Sequence, residues 1–269
     1  MHGSSADSLA RLTDQVVSAV DGGADGAELG SGLFAAATVL LDQPALRRAL
    51  TDPSAEAAAR SSLAEGVFGK HLSAEAASVV AASAGQRWAA SSHLATALEQ
   101  LGVVAVVKAA DRDGAGDRVE AELFGFGRTV VDNPDLRSAL SDPARSVADK
   151  RALVRSLLDG KAHAGTVQLV EQAAGGTHLT LTNAIDTYVE LAAHTRNRLV
   201  ALVRVAQPLD GDEEKRLAAA LSAQYDRTVH LNTVVDPSVL GGIHVSVGDE
   251  VIDGTVSSRL EDAARRLAG

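Results

Sequence analysis

The chain has 269 residues, with 25 basic residues against 35 acidic ones, a formal net charge of −10 and no cysteine. Such an acidic chain lacks the basic face that binding to nucleic acid phosphates requires, and a chain without cysteine forms neither disulfides nor thiolate metal sites. The length allows two or three small domains, and with 3% aromatic residues their cores must be built from small and aliphatic side chains.

A segment of the N-terminal half recurs later in the chain. LDQPALRRALTDP ends at Pro53 and VDNPDLRSALSDP ends at Pro143, and eight of the twelve positions from 42 to 53 are identical at an offset of 90 residues. One register held over this length indicates a tandem duplication. The same offset, without gaps, pairs Phe34 with Phe124, Leu63 with Leu153, Val80 with Val170, Gly85 with Gly175 and Leu101 with Leu191.

Both copies are predicted to be helical, because their apolar residues recur every three or four positions. In each copy a helix ends near a proline (44 or 134), a short helix follows, and an Asp-Pro pair breaks the chain. Further helices are predicted over 55–68, 74–84 and 94–109, and over 144–158, 165–174 and 183–195. We therefore predict a first helical bundle at 1–112 and a second at 113–197. The glycines and aspartates of 111–117 favour a loop between them.

From residue 198 the pattern changes. Residues 199–205 form a predicted strand, a helix carries Leu217 and Leu221, and a second strand includes Val229 and Leu231. Apolar residues then alternate over 243–247, a short strand follows at 251–252, and a helix begins after Asp253. The predicted fold class is mainly α with a small α/β C-terminal domain, that is, two tandem helical bundles followed by a short mixed sheet with helices at 198–269.

The ending DPSVLGGIHVSVGDEVIDGTVSSRL resembles the C-terminal signature of the delta subunit of F-type ATP synthases, the family of the mitochondrial oligomycin-sensitivity-conferring protein. The family pattern is an Asp-Pro pair, a Gly-Gly before a strand, a Gly-Asp turn, and Val-Ile-Asp-Gly-Ser/Thr before a leucine-bearing helix. Its positions in this chain are Asp236, Pro237, Gly241, Gly242, Gly248, Asp249, Asp253, Gly254 and Leu260.

The chain departs from the family in having two N-terminal bundles where the family has one. The family also tends to carry an arginine at the end of the fourth helix, kept as Arg87 in the first copy and replaced by Thr177 in the second. This difference leaves open which bundle performs the family's docking role.

The resemblance implies a non-catalytic peripheral-stalk subunit of the proton-translocating ATP synthase, peripheral on the cytoplasmic face of the cell membrane. Its implied partners are the N-terminal helices of the α subunits in the catalytic head and the b-type stalk subunits. Apolar residues on the opening helices are the predicted contacts with the head, with a place in the core as the alternative. They are Leu9, Leu12 and Val16 in the first copy, and Leu98, Leu101 and Val104 in the second.

Residue patterns for catalysis, cofactors or metals are weak. Gly241-Gly242 lacks the Gly-Lys-Ser/Thr of a phosphate loop, and Asp249, Glu250 and Asp253 have the spacing of turn and cap residues. The eight histidines show no metal-ligand spacing, and no apolar run approaches the roughly 20 residues of a membrane span. We therefore predict no catalytic, cofactor or metal site and no direct membrane insertion. A helical adaptor unrelated to ATP synthase and an all-helical enzyme with a cleft between the bundles are the alternative hypotheses.

Overall fold

The computed structural model describes residues 3–178, 180–196, 199–225, 229–236, 239, 242–247 and 250–253. Within these residues the chain forms twelve α-helices and four β-strands. The predicted fold class, mainly α with a small α/β part at the C terminus, is confirmed. The chain divides into two compact units, Met1–Ala192 and Ala193–Gly269, which are described separately below.

The helices of the first unit fall into two sets that match at an offset of about 90 residues. The first set consists of α1 (Ser4–Asp21), α2 (Gly26–Asp42), α3 (Pro44–Leu50), α4 (Ala57–Phe68) and α5 (Ala74–Gly85). The second set consists of α6 (Ser92–Arg112), α7 (Gly116–Asp132), α8 (Pro134–Ser141), α9 (Val147–Leu158) and α10 (Ala164–Ala173), and is followed by α11 (Leu181–Thr195). Each helix from α7 to α10 begins 90 residues after its counterpart.

The corner that repeats in the sequence has a local physical cause. Pro44 and Pro134 each open a short helix, where a fixed φ and a missing N–H suit the first turn. Asp52 then accepts a hydrogen bond from the Ser54 backbone N–H at 2.9 Å, and Asp142 accepts one from the Ala144 N–H at 2.8 Å. These turns delay the next helices, so α4 and α9 begin two or three residues later than the sequence predicts.

Two hydrophobic cores lie in this unit, and α6 contributes to both. Leu94, Leu98 and Leu101 of α6 belong to the first core with residues of α1 to α5. Val103, Val106 and Val107 of the same helix belong to the second core with residues of α7 to α11. The predicted boundary at 112/113 therefore does not separate the two cores, and the division into three domains stays a prediction.

The loop between the two helix sets is shorter than the predicted segment 111–117. Helix α6 continues to Arg112 and α7 starts at Gly116, which leaves residues 113–115 between them. Arg112 Nη1 donates a hydrogen bond to the Val20 carbonyl at 2.9 Å and so ties the end of α6 to the end of α1.

The second unit contains a four-stranded mixed sheet. Its elements are β1 (Leu199–Val205), α12 (Gly211–Tyr225), β2 (Val229–Val235), β3 (Ile243–Val247) and β4 (Glu250–Asp253), and the strand order is β2-β1-β3-β4. Strands β1 and β2 are parallel, with α12 as the crossover, and the other two pairs are antiparallel. Ala201, Val203, Val245, Val247 and Leu221 form its core. The helix predicted after Asp253 lies outside the described residues.

Among the described residues, α6 is the one helix long and apolar enough to cross a membrane, and 72% of the qualifying stretch is buried. Helices α2 and α3 reach the same limits only when taken together, with a bend of 111° between them. A core helix meets such criteria of length and composition as readily as a membrane span does, and α6 lies between two cores.

Candidate functional site: surfaces for partner binding

The structure places most of the predicted head contacts inside the first core. Leu12 is 1% exposed and Val16 is fully buried, as are Leu98 and Leu101, and Val104 is 3% exposed. Only Leu9 is half-buried and keeps accessible surface. Side chains buried in this way are core residues, the alternative named from the sequence. Binding of a partner through them stays a prediction, and it would require the helices to separate.

Beside these residues, α1 and α5 present a band of small side chains, which we call the α1–α5 strip. It consists of Leu9, Thr13, Val17, Ser78, Ala81 and Ala82, which are half-buried or, in the case of Ser78, exposed. Leu9, Thr13 and Val17 are four residues apart and therefore lie on one face of α1. Four of its six side chains are serine, threonine or alanine, and such small side chains permit the close approach of another helix.

The corresponding strip of the second bundle, on α6 and α10, is covered by a helix of the same chain. Val103 and Val107, the counterparts of Thr13 and Val17, pack in one core with Phe34 from α2. Gln168, the counterpart of Ser78, donates hydrogen bonds to the Ala27 carbonyl and to Ser31 Oγ of α2, both at 2.9 Å. The chain thus shows a helix docked on this surface in one of its two bundles.

A buried arginine, not singled out in the sequence, organises one end of the first bundle. Arg60 of α4 is 6% exposed, and its guanidinium donates five hydrogen bonds to backbone carbonyls. These carbonyls belong to the turn after α3 and to the end of α5. They are those of Asp52, Ala55, Ala84, Gly85 and Gln86. Arg60 therefore fixes two loops next to Trp88, whose indole N–H donates to the Ser83 carbonyl at 2.9 Å.

A buried polar cluster, also missed in the sequence, joins α6 to α11. Glu99 of α6 is fully buried, and its carboxylate accepts hydrogen bonds from the Tyr188 hydroxyl and from the Thr177 backbone N–H. His178 Nε2 lies 3.8 Å from the same carboxylate, and the His178 ring meets the Tyr188 ring edge to face. Burial, together with the negative charge of Glu99, raises the pKa of Tyr188 well above its usual value.

The C-terminal motif is described in part. The Asp236 backbone N–H donates to the Val205 carbonyl at 2.8 Å, which places the motif beside the end of β1. Asp253 closes β4 in register with His244 of β3. Gly242 precedes β3 with a φ of 84°. The remaining predicted motif residues lie outside the described residues. They are Pro237, Gly241, Gly248, Asp249, Gly254 and Leu260.

Replacing Gly242 by valine is expected to weaken the association with the b-type stalk subunit that the sequence resemblance implies as a partner. A β-branched residue at this positive φ is strained by about 1–3 kcal/mol, so the start of β3 must move. The measurement is equilibrium binding of a purified b-type stalk segment to the folded full chain. Gly211→Val is the matched control, since Gly211 lies in open space without a positive φ. Equal affinity for the folded Gly242→Val and Gly211→Val chains would contradict the expectation.

Over the residues with described structure, no three histidine, cysteine, aspartate or glutamate side chains come together as ligands for a metal ion. The features with a defined geometry are the α1–α5 strip, the Arg60 loops, the Glu99 cluster and the start of β3. All of these are suited to contact between macromolecules or to holding the fold.

Comparison with known proteins agrees with the resemblance seen in the sequence. The sequence model of the family described as ATP synthase delta (OSCP) subunit matches residues 103–267. An ATP synthase subunit delta of Nocardioides sp. is 50% identical, covering 100% of this chain and 98% of that protein. One of Streptomyces coelicolor is 41% identical, with coverage of 100% and 98%.

Among solved structures, a chain of the Toxoplasma gondii mitochondrial ATP synthase hexamer is 21% identical. The match covers 62% of this chain and 95% of that one, with a TM-score of 0.35. The family model and the full-length relatives decide the assignment. The chain belongs to the family of ATP synthase delta (OSCP) subunits, which are components of the peripheral stalk of that enzyme.

Proposed function

We propose that this chain is a non-catalytic stator subunit of the F-type proton-translocating ATP synthase. In this role it joins the catalytic head to the b-type stalk, on the cytoplasmic face of the membrane, and resists the torque of the rotor during ATP synthesis. Its membership of the delta (OSCP) family supports the proposal. Two helical cores followed by a separate sheet unit also suit a connector that binds different partners through different units.

The proposed site for the head is the α1–α5 strip, and its occupant is the N-terminal helix of an ATP synthase α subunit. The supporting observation is that α2 covers the corresponding strip on α6 and α10 of the same chain. Because the two strips occupy equivalent positions in the two bundles, both are expected to bind a helix. An amphipathic helix laid into a groove between helices is an established mode of peptide recognition.

The face of α2 on the second bundle indicates what the partner helix should present. It consists of small residues with one aromatic side chain, Phe34, directed into the core. Phe34 rests on Gly102, the counterpart of Leu12. We therefore expect the α-subunit helix to place small residues against α1 and α5 and one larger apolar side chain near Thr13, which follows Leu12 in the chain. The acidic chain also favours a helix whose outer face carries basic residues, because opposite charges accelerate association.

Binding is measured by calorimetry, with a peptide of the cognate α-subunit N-terminal helix titrated into the full chain. The variant Ser78→Arg places a long charged side chain in the middle of the strip. We expect it to weaken binding at least about tenfold, or about 1.4 kcal/mol. Ser62→Arg on α4 is the matched control, an exposed helical serine that is not part of the strip, and it should leave the affinity unchanged.

The outcomes separate the hypotheses. Saturable binding that Ser78→Arg weakens and Ser62→Arg does not would support the strip as the docking site. Binding that neither variant affects would move the site elsewhere on the chain. No binding by the folded full chain, either to the peptide or to an assembled catalytic head, would favour the helical adaptor hypothesis.

A further inference from the structure

The buried cluster of Glu99, Tyr188 and His178 has a counterpart of opposite chemistry in the first bundle. At the offset of 90 residues, Glu99 corresponds to Leu9, Tyr188 to Leu98 and His178 to Trp88. We call these sets the polar trio and the apolar trio. Leu98 is fully buried in the first core, and Leu9 and Trp88 pack against that core. The two bundles thus fill one equivalent position in two different ways.

The trios lie where the opening helix of each bundle meets its closing helix. In the first bundle Leu98 of α6 lies in the core against which Leu9 of α1 packs. In the second bundle Tyr188 of α11 donates a hydrogen bond to Glu99 of α6. Helix α6 carries both kinds of contact on adjacent residues, with Leu98 in the first core and Glu99 hydrogen-bonded to the second bundle. Each neighbour of α6 therefore meets a surface with its own chemistry.

Because the two bundles have equivalent helices, these helices can pair wrongly during folding. A helix of one bundle can take the place of its counterpart, within the chain or in a second molecule, as happens in domain swapping. If α11 packed against α1, the Tyr188 hydroxyl would lie on Leu9. The Glu99 carboxylate would then be buried without the Tyr188 donor. An apolar partner cannot supply the hydrogen bond that a buried carboxylate needs, so the exchanged pairing is strongly disfavoured.

We infer that the polar trio selects the helix that packs on α6. It restricts the face of α6 that carries Glu99 to packing against α11, and it prevents the exchange of helices between the two bundles. A buried polar group that fixes a register at some expense of stability has precedent in coiled coils. The members of the apolar trio fill the equivalent space without hydrogen bonds to one another. The polar trio is therefore required to select α11 as the partner of α6 and not to fill the core.

The test replaces the polar trio by the apolar one. The triple variant Glu99→Leu, His178→Trp, Tyr188→Leu and the wild-type chain are unfolded in urea and refolded at several concentrations. Size-exclusion chromatography with light scattering then measures the monomer fraction. We expect the variant to keep its helical circular dichroism, with a urea midpoint lowered only by the loss of the acceptor for the Thr177 N–H, while its oligomer fraction rises several-fold and grows with concentration during refolding.

A single variant separates pairing from stability. Glu99→Leu leaves the Tyr188 hydroxyl and the Thr177 N–H without their acceptor, so it should be less stable than wild type and yet refold as a monomer. If the tryptophan proves too large for position 178, the double variant Glu99→Leu, Tyr188→Leu takes the place of the triple one. A monomer fraction equal to that of wild type in the apolar variants would overturn the inference. So would failure of both apolar variants to fold, because apolar residues would then not substitute for the trio.

Discussion

Replacing Arg60 by methionine is expected to lower the free energy of unfolding of the first bundle by about 3–5 kcal/mol. Methionine fills a similar volume but donates no hydrogen bond, so five backbone carbonyls lose their donor in a buried site. The turn after α3 and the end of α5 would both loosen. Urea unfolding followed by the fluorescence of Trp88 measures this directly, because Trp88 is the one tryptophan of the chain and lies next to those loops.

The second bundle supplies the control for this experiment. Lys150 stands 90 residues after Arg60 and is half-buried, so Lys150→Met makes a similar change of chemistry at the corresponding position. Lys150→Met should lower the free energy of unfolding by less than about 1 kcal/mol, as is usual for side chains near the surface. If the two variants lost the same amount, the five carbonyl contacts would not be the reason for the importance of Arg60.

Replacing Phe34 by alanine is expected to lower the free energy of unfolding by about 3–4 kcal/mol. Phe34 is 5% exposed, and although it lies on α2 its ring belongs to the second core. A Cβ at Gly102 would lie 2.5 Å from Phe34 Cε1, so the ring rests on the backbone of α6. The deletion would leave a cavity where α2 meets α6. Urea unfolding followed by Trp88 fluorescence and by circular dichroism should show the loss with both probes.

Phe124, the counterpart of Phe34 on α7, provides the comparison. It is half-buried and packs at the edge of the second core, so Phe124→Ala should cost roughly half as much, in keeping with the smaller apolar area that it buries. Equal losses would mean that the position of Phe34 between the two cores adds nothing to its contribution.

Local sequence signals predict much of the fold. The proline-opened short helices, the Asp-Pro turns and the alternating apolar residues of β3 were predicted, because each depends on neighbouring residues. The long-range placement of α6 was not predicted. A signal for it existed, since α6 is apolar almost all round, with thirteen buried residues, and a helix of that kind is buried on every side. Loop signals mark where a helix stops and not what it packs against, so they indicate a domain boundary at the end of α6.

The candidate site was less accessible to sequence reasoning. Apolar spacing identified Leu12 and Val16 as one face of a helix, but the same spacing describes a core face and a binding face, and the structure places these two side chains in the core. Arg60 and Glu99 were missed for a related reason. Their partners are backbone carbonyls and residues up to 89 positions away, which no local pattern specifies. Comparing the two copies position by position would have shown the exchange of Leu9 for Glu99.

The membership of α6 in both cores changes what counts as the repeating unit of this chain. The offset of 90 residues spans five helices, from α1 to α5 or from α6 to α10, while each core is built on six consecutive helices, with Phe34 of α2 added to the second. The sixth helix of one unit is the first helix of the next, as in solenoid proteins, whose units are completed by their neighbours. Each further unit would share one helix with the unit before it in the same way. A third unit would need only five new helices, with α11 as its first.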